Sequence, residues 1–203
     1  PELHLRSADL ESIADALVAY HARFAPLFAR QEPRGWAELY RRGLLVADVP
    51  RKNVEAMALR LLGAGSQAAR RVRAVQHFIG EGAWDDDAIL AAHQRCVAET
   101  LGEADGVLII DGSDVPKQGT HAAGVARQWC GASGKKDNCQ AGVFLGYASH
   151  KGYTVLDRRL YLPAAWFTSE YRERWQACAI PTGTPFQTKQ ALAGDLVERA
   201  VRR

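Results

Sequence analysis

The sequence predicts an α+β protein in two parts: a helical N-terminal bundle over residues 1–104, then a three-strand antiparallel meander with helices over residues 105–203. Three observations carry this. Up to about residue 104, apolar residues recur at three- and four-residue steps, the period of a helix with one buried face. After Gly102 the pattern changes to short β-branched or alternating runs, the period of strands. Of the 203 residues, 47% are apolar, enough for an ordinary packed core and against a disordered chain.

In chain order, Leu10, Ile13, Leu17, Tyr20 and Phe24 form one apolar stripe after a cap at Ser7 or Asp9. Trp36, Leu39 and Tyr40 mark a second helix, and Val54, Met57, Ala58, Leu61 and Leu62 a third. Ser66 is placed to cap a fourth, which carries Ala69, Val72, Val75 and Ile79 inward and leaves Arg70, Arg71 and Arg73 off the stripe, toward solvent or a ligand. Trp84-Asp85-Asp86-Asp87 opens a fifth, its acids complementing the helix dipole, and Ile89, Leu90, His93, Cys96, Val97 and Leu101 form its inner face. Residues 106–111 then read as a strand covered on both faces. Two further strands are expected over residues 140–148 and 153–162, joined by a turn at His150-Lys151-Gly152, with Pro163 stopping the last. Helices are expected over 169–179 and 188–203, the latter with Leu192, Leu196, Val197 and Ala200 on one face. A meander ending in such a helix needs something against the open side of its first strand, normally a parallel strand reached by the crossover helix. The expectation is therefore that the chain pairs with another or, preferably, is the front part of a longer protein.

The formal charge of +3 is unevenly placed. From Arg30 to Arg73 there are ten Lys/Arg against four acids, and beyond Asp105 thirteen against eight. Clustered cations gain affinity for polyanions by displacing counterions, although a solvated helix face gives the same pattern. The four cysteines form no CxxC pair and no apolar leader opens the sequence, which reads as a reduced, cytoplasmic protein with zinc not expected. No run approaches the roughly 18 apolar residues of a membrane span.

The candidate site is Leu108-Ile-Ile-Asp111-Gly-Ser-Asp114-Val-Pro-Lys117-Gln-Gly119, where an apolar run meets a carboxylate and turns polar and cationic. Such a strand fixes a negative charge at a sheet rim, within reach of a divalent ion and a phosphate. Rival motifs fail on spacing. Gly131-Ala-Ser-Gly134-Lys135-Lys136 lacks the spacing and the hydroxyl of a phosphate loop and reads as a basic turn. Asp111-Gly-Ser-Asp114 has one residue too many for an Asp-x-Asp phosphatase pair, and neither GxSxG nor HExxH occurs. Asp114 reads as turn chemistry, and Trp36, Trp84, Trp129 and Trp166 as core rather than base-stacking residues.

Several blocks in order resemble the DDE-type transposases of bacterial insertion sequences. They are Phe24-Ala-Pro-Leu-Phe, Arg41-Arg-Gly-Leu-Leu, Pro50-Arg-Lys-Asn-Val-Glu-Ala56, Trp84-Asp-Asp, Ile109-Ile-Asp111-Gly-Ser-Asp-Val-Pro-Lys117-Gln-Gly119, Gly124-Val-Ala-Arg127-Gln-Trp-Cys-Gly131, Lys136-Asp-Asn-Cys-Gln140 and Arg159-Leu-Tyr-Leu-Pro163. The resemblance implies an RNase H-like catalytic domain, incomplete here and truncated before the second catalytic acid, preceded by a DNA-binding helical domain. It further implies Asp111 as first acid of an Asp-Asp-Glu triad holding Mg²⁺ or Mn²⁺ for phosphodiester cleavage and strand transfer. Its implied partners are DNA, at transposon ends and target, and further copies of the protein. Candidate phosphate contacts are Arg70, Arg71, Arg73, Lys117, Arg127, Lys135 and Lys136. Late acids such as Asp195 and Glu198 lie inside a helical repeat and do not fill the triad, so little nuclease activity is expected of these residues alone. The alternative is a non-catalytic DNA-binding remnant or domesticated regulator.

Overall fold

The computed structural model of the chain describes residues 6–202, so Arg203, the last residue of the final expected helix, lies outside the described residues. The chain divides between Ala92 and His93 into two units.

The first unit holds helices α1 (Ser7–Phe24), α2 (Gln31–Leu45), α3 (Val54–Leu62) and α4 (Ala68–Glu81) and the start of α5 (Asp86–Leu101). Local polar chemistry sets where they begin. Arg6 is the residue before α1, and its backbone N–H donates to Asp9 Oδ2 at 2.9 Å, so Asp9 supports the entry from the first turn and Ser7 is already helical. Asn53 caps α3 by accepting the Ala56 N–H at 2.8 Å, and Asp85 accepts the Ala88 N–H at 2.9 Å before α5. Gln67, not Ser66, precedes α4 and makes no capping bond.

Phe24, Phe28, Ala37 and Phe78 form the core of this unit, with Trp36, Trp84 and Ile89 packed against it. Helix α4 buries Val72, Val75 and Phe78, half-buries Ile79 and leaves Arg70, Arg71 and Arg73 exposed, while Ala69, expected inward, is exposed because it lies in the first turn. The expected burial of the α1 stripe does not occur: Leu10 and Ile13 are 54% and 56% exposed, and only Phe24 is buried. Helical spacing marks a face that can be buried; here only the last turn of α1 reaches the Phe28 cluster.

The second unit contains an antiparallel sheet of β1 (Val107–Pro116), β2 (Ala126–Cys130), β3 (Lys135–Ser149) and β4 (Gly152–Tyr161), with α6 (Arg172–Ala177) and α7 (Lys189–Val201). Strand β3 is the hub. β1 pairs along it from Pro116↔Cys139 to Val107↔Ala148, β2 takes its first five residues, and β4 returns along Ala141 to Ser149 through a His150–Lys151 turn. The expected three strands are therefore four. The unforeseen β2 is short and lies between Gly124 and a Gly131–Gly134 turn. Gly124 sits at φ +75°, where a Cβ would lie 2.7 Å from the Tyr161 carbonyl, so only glycine fits.

Side chains alternate along β3. Cys139, Ala141, Val143 and Leu145 are all at most 3% exposed and face α7, whose Leu192 and Leu196 fill the core with Val97 and Leu156. Thr188 caps α7 by accepting the Ala191 N–H at 3.1 Å. The helix expected over 169–179 is instead a 3₁₀ turn, Ser169–Tyr171, running into the short α6.

The expectation that β1 is covered on both faces is overturned. Val107, Leu108, Ile109 and Ile110 are each 39–57% exposed. β1 pairs only with β3 among the described strands, and α7 packs over β3 and β4 instead. A continuous apolar run thus records a strand able to be buried, not one that these residues bury.

A bulge in β4 shifts the register between Leu145↔Asp157 and Gly146↔Val155, leaving Leu156 as the extra residue. Two successive residues, Leu156 and Asp157, can therefore both lie inside, at 7% and 1% exposure. The carbonyls of Val155 and Leu156 are met by His93 Nε2 at 2.8 Å and Gln94 Nε2 at 3.3 Å from α5. Asp157 is held by Arg199 of α7 through Nε at 2.8 Å and a second, shorter contact from its other nitrogen, and by the Arg158 N–H at 2.6 Å.

Candidate functional site

Asp111 lies in the middle of β1, opposite Phe144, not at the end of the strand; β1 continues five residues to Pro116. Its side chain shares the open face of the sheet with Ile109 and Ser113, is exposed, and accepts the Gly112 N–H at 2.7 Å through Oδ1. No turn forms at Asp111-Gly-Ser-Asp114, because every residue of it pairs with β3 from Phe144 back to Ala141.

Asp114, expected in a turn, is a strand residue on the opposite, helix-covered face. It accepts the Gly131 N–H through Oδ2 at 2.8 Å, and Lys189 Nζ of α7 approaches Oδ1 at 3.7 Å. It thus latches the β2–β3 turn to the start of α7. Among the described residues no three His, Cys, Asp or Glu side chains come together in a way that could hold a metal ion. Asp111 and Asp114 cannot share an ion across two faces of one strand. The side chains present do not fit a closed divalent-metal site; Asp111 is one open carboxylate.

The expected cations fall into two groups. Arg70, Arg71 and Arg73 line the exposed side of α4 in the first unit. In the second unit Arg127, Lys135 and Lys136 lie on the β2–β3 ribbon, Lys135 on the face opposite the other two, and Lys117 follows the end of β1. Arg127 pairs across from Asn138, which binds the backbone of Lys117: its Nδ2 donates to the Lys117 carbonyl at 2.6 Å, and its own carbonyl accepts the Lys117 N–H at 2.9 Å. Lys136 pairs with Trp129 and Lys135 with Cys130. These cations do not surround Asp111. Six residues of β3 separate Asn138 from Phe144, about 20 Å at the ordinary strand rise.

Three features were not read from the sequence. Trp129, expected in the core, is 61% exposed. The Asp114 latch joins residues 17 apart at Gly131 and, at Lys189, residues still further along. The ribbon's inner face is closed by Ala126, Cys130 and Cys139, all buried. Burial, and then the hydrogen bond with Cys130, push the Cys139 thiol up to about 11, so it packs as a protonated group. A period-2 reading of Ala126-Arg-Gln-Trp-Cys130, with Ala126, Gln128 and Cys130 inward and Arg127 and Trp129 outward, was the available signal for both β2 and Trp129.

An exposed carboxylate in β1 and a cation-bearing ribbon, both on a single antiparallel sheet, characterise this α+β protein. Residues 23–203 match the family model described as DDE superfamily endonuclease, and the chain belongs to that family. No match to the chain was found among curated proteins or among solved structures. The family implies DNA as partner and, in general, divalent metal ions. Among the described residues no helix is long and apolar enough to cross a membrane.

Proposed function

We propose that the chain is the part of a transposase that supplies the first acid of the Asp-Asp-Glu triad and contacts DNA. In this reading residues 105–203 belong to an RNase H-like catalytic domain and residues 1–104 to a domain that recognises transposon ends. The observation that carries it is membership of the endonuclease family together with Asp111 standing exposed on the open face of β1. Mg²⁺ or Mn²⁺ would supply charge stabilisation and an activated oxygen nucleophile when bound by the full triad. What these residues contribute is one carboxylate on a paired strand and cations at Arg70, Arg71, Arg73, Lys117, Arg127, Lys135 and Lys136. One acid does not make a two-metal site, so the chain by itself is expected to bind DNA without useful cleavage, and the active complex to need the other two acids and further protomers.

The test is made in a protein carrying all three acids. Asp111→Ala is expected to abolish metal-dependent cleavage of transposon-end DNA while end binding stays within about two-fold. Cleavage at the unaltered rate would remove Asp111 from the mechanism. For the chain itself, filter binding at rising salt should show a steep loss of affinity, and salt-insensitive binding would defeat the assignment of the cations.

A further inference from the structure

We infer that the outer face of the β2–β3 ribbon is a single-strand DNA grip in which Trp129 stacks on an unpaired base between phosphates neutralised by Arg127 and Lys136. Alternation along β2 puts Arg127 and Trp129 on one face, and their cross-strand partners Asn138 and Lys136 share it. The opposite face carries Ala126, Gln128 and Cys130 against Cys139, Asp137 and Lys135, so the ribbon's one acid lies away from the tryptophan. Arg127 and Lys136 meet no carboxylate at ion-pair distance among the described residues.

An indole 61% exposed on a strand, with a cation two residues along and another directly across, offers a flat face to a nucleobase between two positive charges. It matches what sequence-tolerant single-strand binders use: an aromatic platform beside backbone-tracking cations. The platform is rigid. Asp114 ties the turn at Gly131, Gly134 takes φ +64° to close it, and the Gly134 N–H reaches the Cys130 carbonyl at 2.9 Å. On the same face of β3, Asn138 Nδ2 donates to the Lys117 and Gly119 carbonyls and Gln140 Nε2 to the Ala123 carbonyl, so the crossing from β1 to β2 lies between the grip and Asp111. DNA as the partner rests on the family reading; the grip does not depend on Asp111.

The experiment measures binding of the 203-residue chain to a fluorescein-labelled oligothymidylate of about a dozen nucleotides and to a duplex of equal length. Trp129→Ala should weaken single-strand binding about five-fold or more, Trp129→Phe should keep most of it, and the duplex should change less than about two-fold. Tryptophan emission of the unaltered chain should be quenched by the oligonucleotide, and that quench should be lost in Trp129→Phe. Arg127→Gln with Lys136→Gln should flatten the salt dependence by up to about 1.4 in log–log slope. Unaltered single-strand affinity in Trp129→Ala, or an equal loss on the duplex, would overturn the stacking role. The Trp129 effect is read as binding by the chain alone and Asp111-dependent cleavage in a protein carrying all three acids, so a failure of one is distinguishable from a failure of the other.

Discussion

The two faces of β3 obey opposite rules. Toward α7, Cys139, Ala141, Val143 and Leu145 are closed off from water, and even a charge, Asp157, is buried there because Arg199 meets it. On the other face Asp111, Ile109 and Val107 stand in solvent beside β3 positions held by Gly142, Phe144 and Gly146. One strand, paired to the same neighbours, thus has a packed side and an open side that carries the proposed site. Stability should reside almost wholly in the first face and the proposed DNA chemistry in the second.

That division can be broken most forcefully at Asp157. Asp157→Ala leaves Arg199, 18% exposed at its side chain, without its buried carboxylate and should cost about 3–5 kcal/mol in chemical denaturation. Leu196→Ala, at a position with no exposure, should cost about 2–5 kcal/mol by leaving a cavity under β3. Thr188→Ala removes the α7 cap and should cost about 1 kcal/mol. Asp111→Asn, on the open face, should shift stability by less than about 0.5 kcal/mol, read as an unchanged denaturation midpoint. A large loss from Asp111→Asn, or none from Asp157→Ala, would collapse the distinction between the faces. The weakest probe is chemical: iodoacetamide should modify the partly exposed Cys178 before the buried Cys96, Cys130 and Cys139.

What the sequence disclosed follows the same division. Patterns produced by burial were readable: the β3–β4 hairpin with its turn at His150–Lys151, the α7 face of Leu192 and Leu196, the α4 stripe with its arginines outside. Asp111 was readable as a carboxylate in an apolar strand. Patterns needing a second segment were not. The bulge at Leu156 breaks alternation in β4 where His93 and Gln94 of α5 and Arg199 of α7 meet it, and Asp114 acts through Gly131 and Lys189. Exposure itself was the main misreading. Leu10, Ile13, Ile109 and Trp129 look like core residues by type, and only the arrangement of their neighbours leaves them in water.

Among the described strands β1 pairs along one edge only, which bears on handling the protein. A long edge strand that opens with Val107-Leu-Ile-Ile110 is a template for pairing between molecules, and charges within such strands act as gatekeepers against it. Asp111 and Asp114 are the only charges in β1, and Asp111 directly follows the apolar run. The carboxylate proposed for phosphodiester chemistry is therefore also the charge that interrupts the apolar edge. Replacing it with alanine lengthens the sticky segment as well as removing the ligand, so loss of activity in Asp111→Ala must be separated from self-association by light scattering, with Asp111→Asn and Asp111→Lys as the solubility-preserving comparisons.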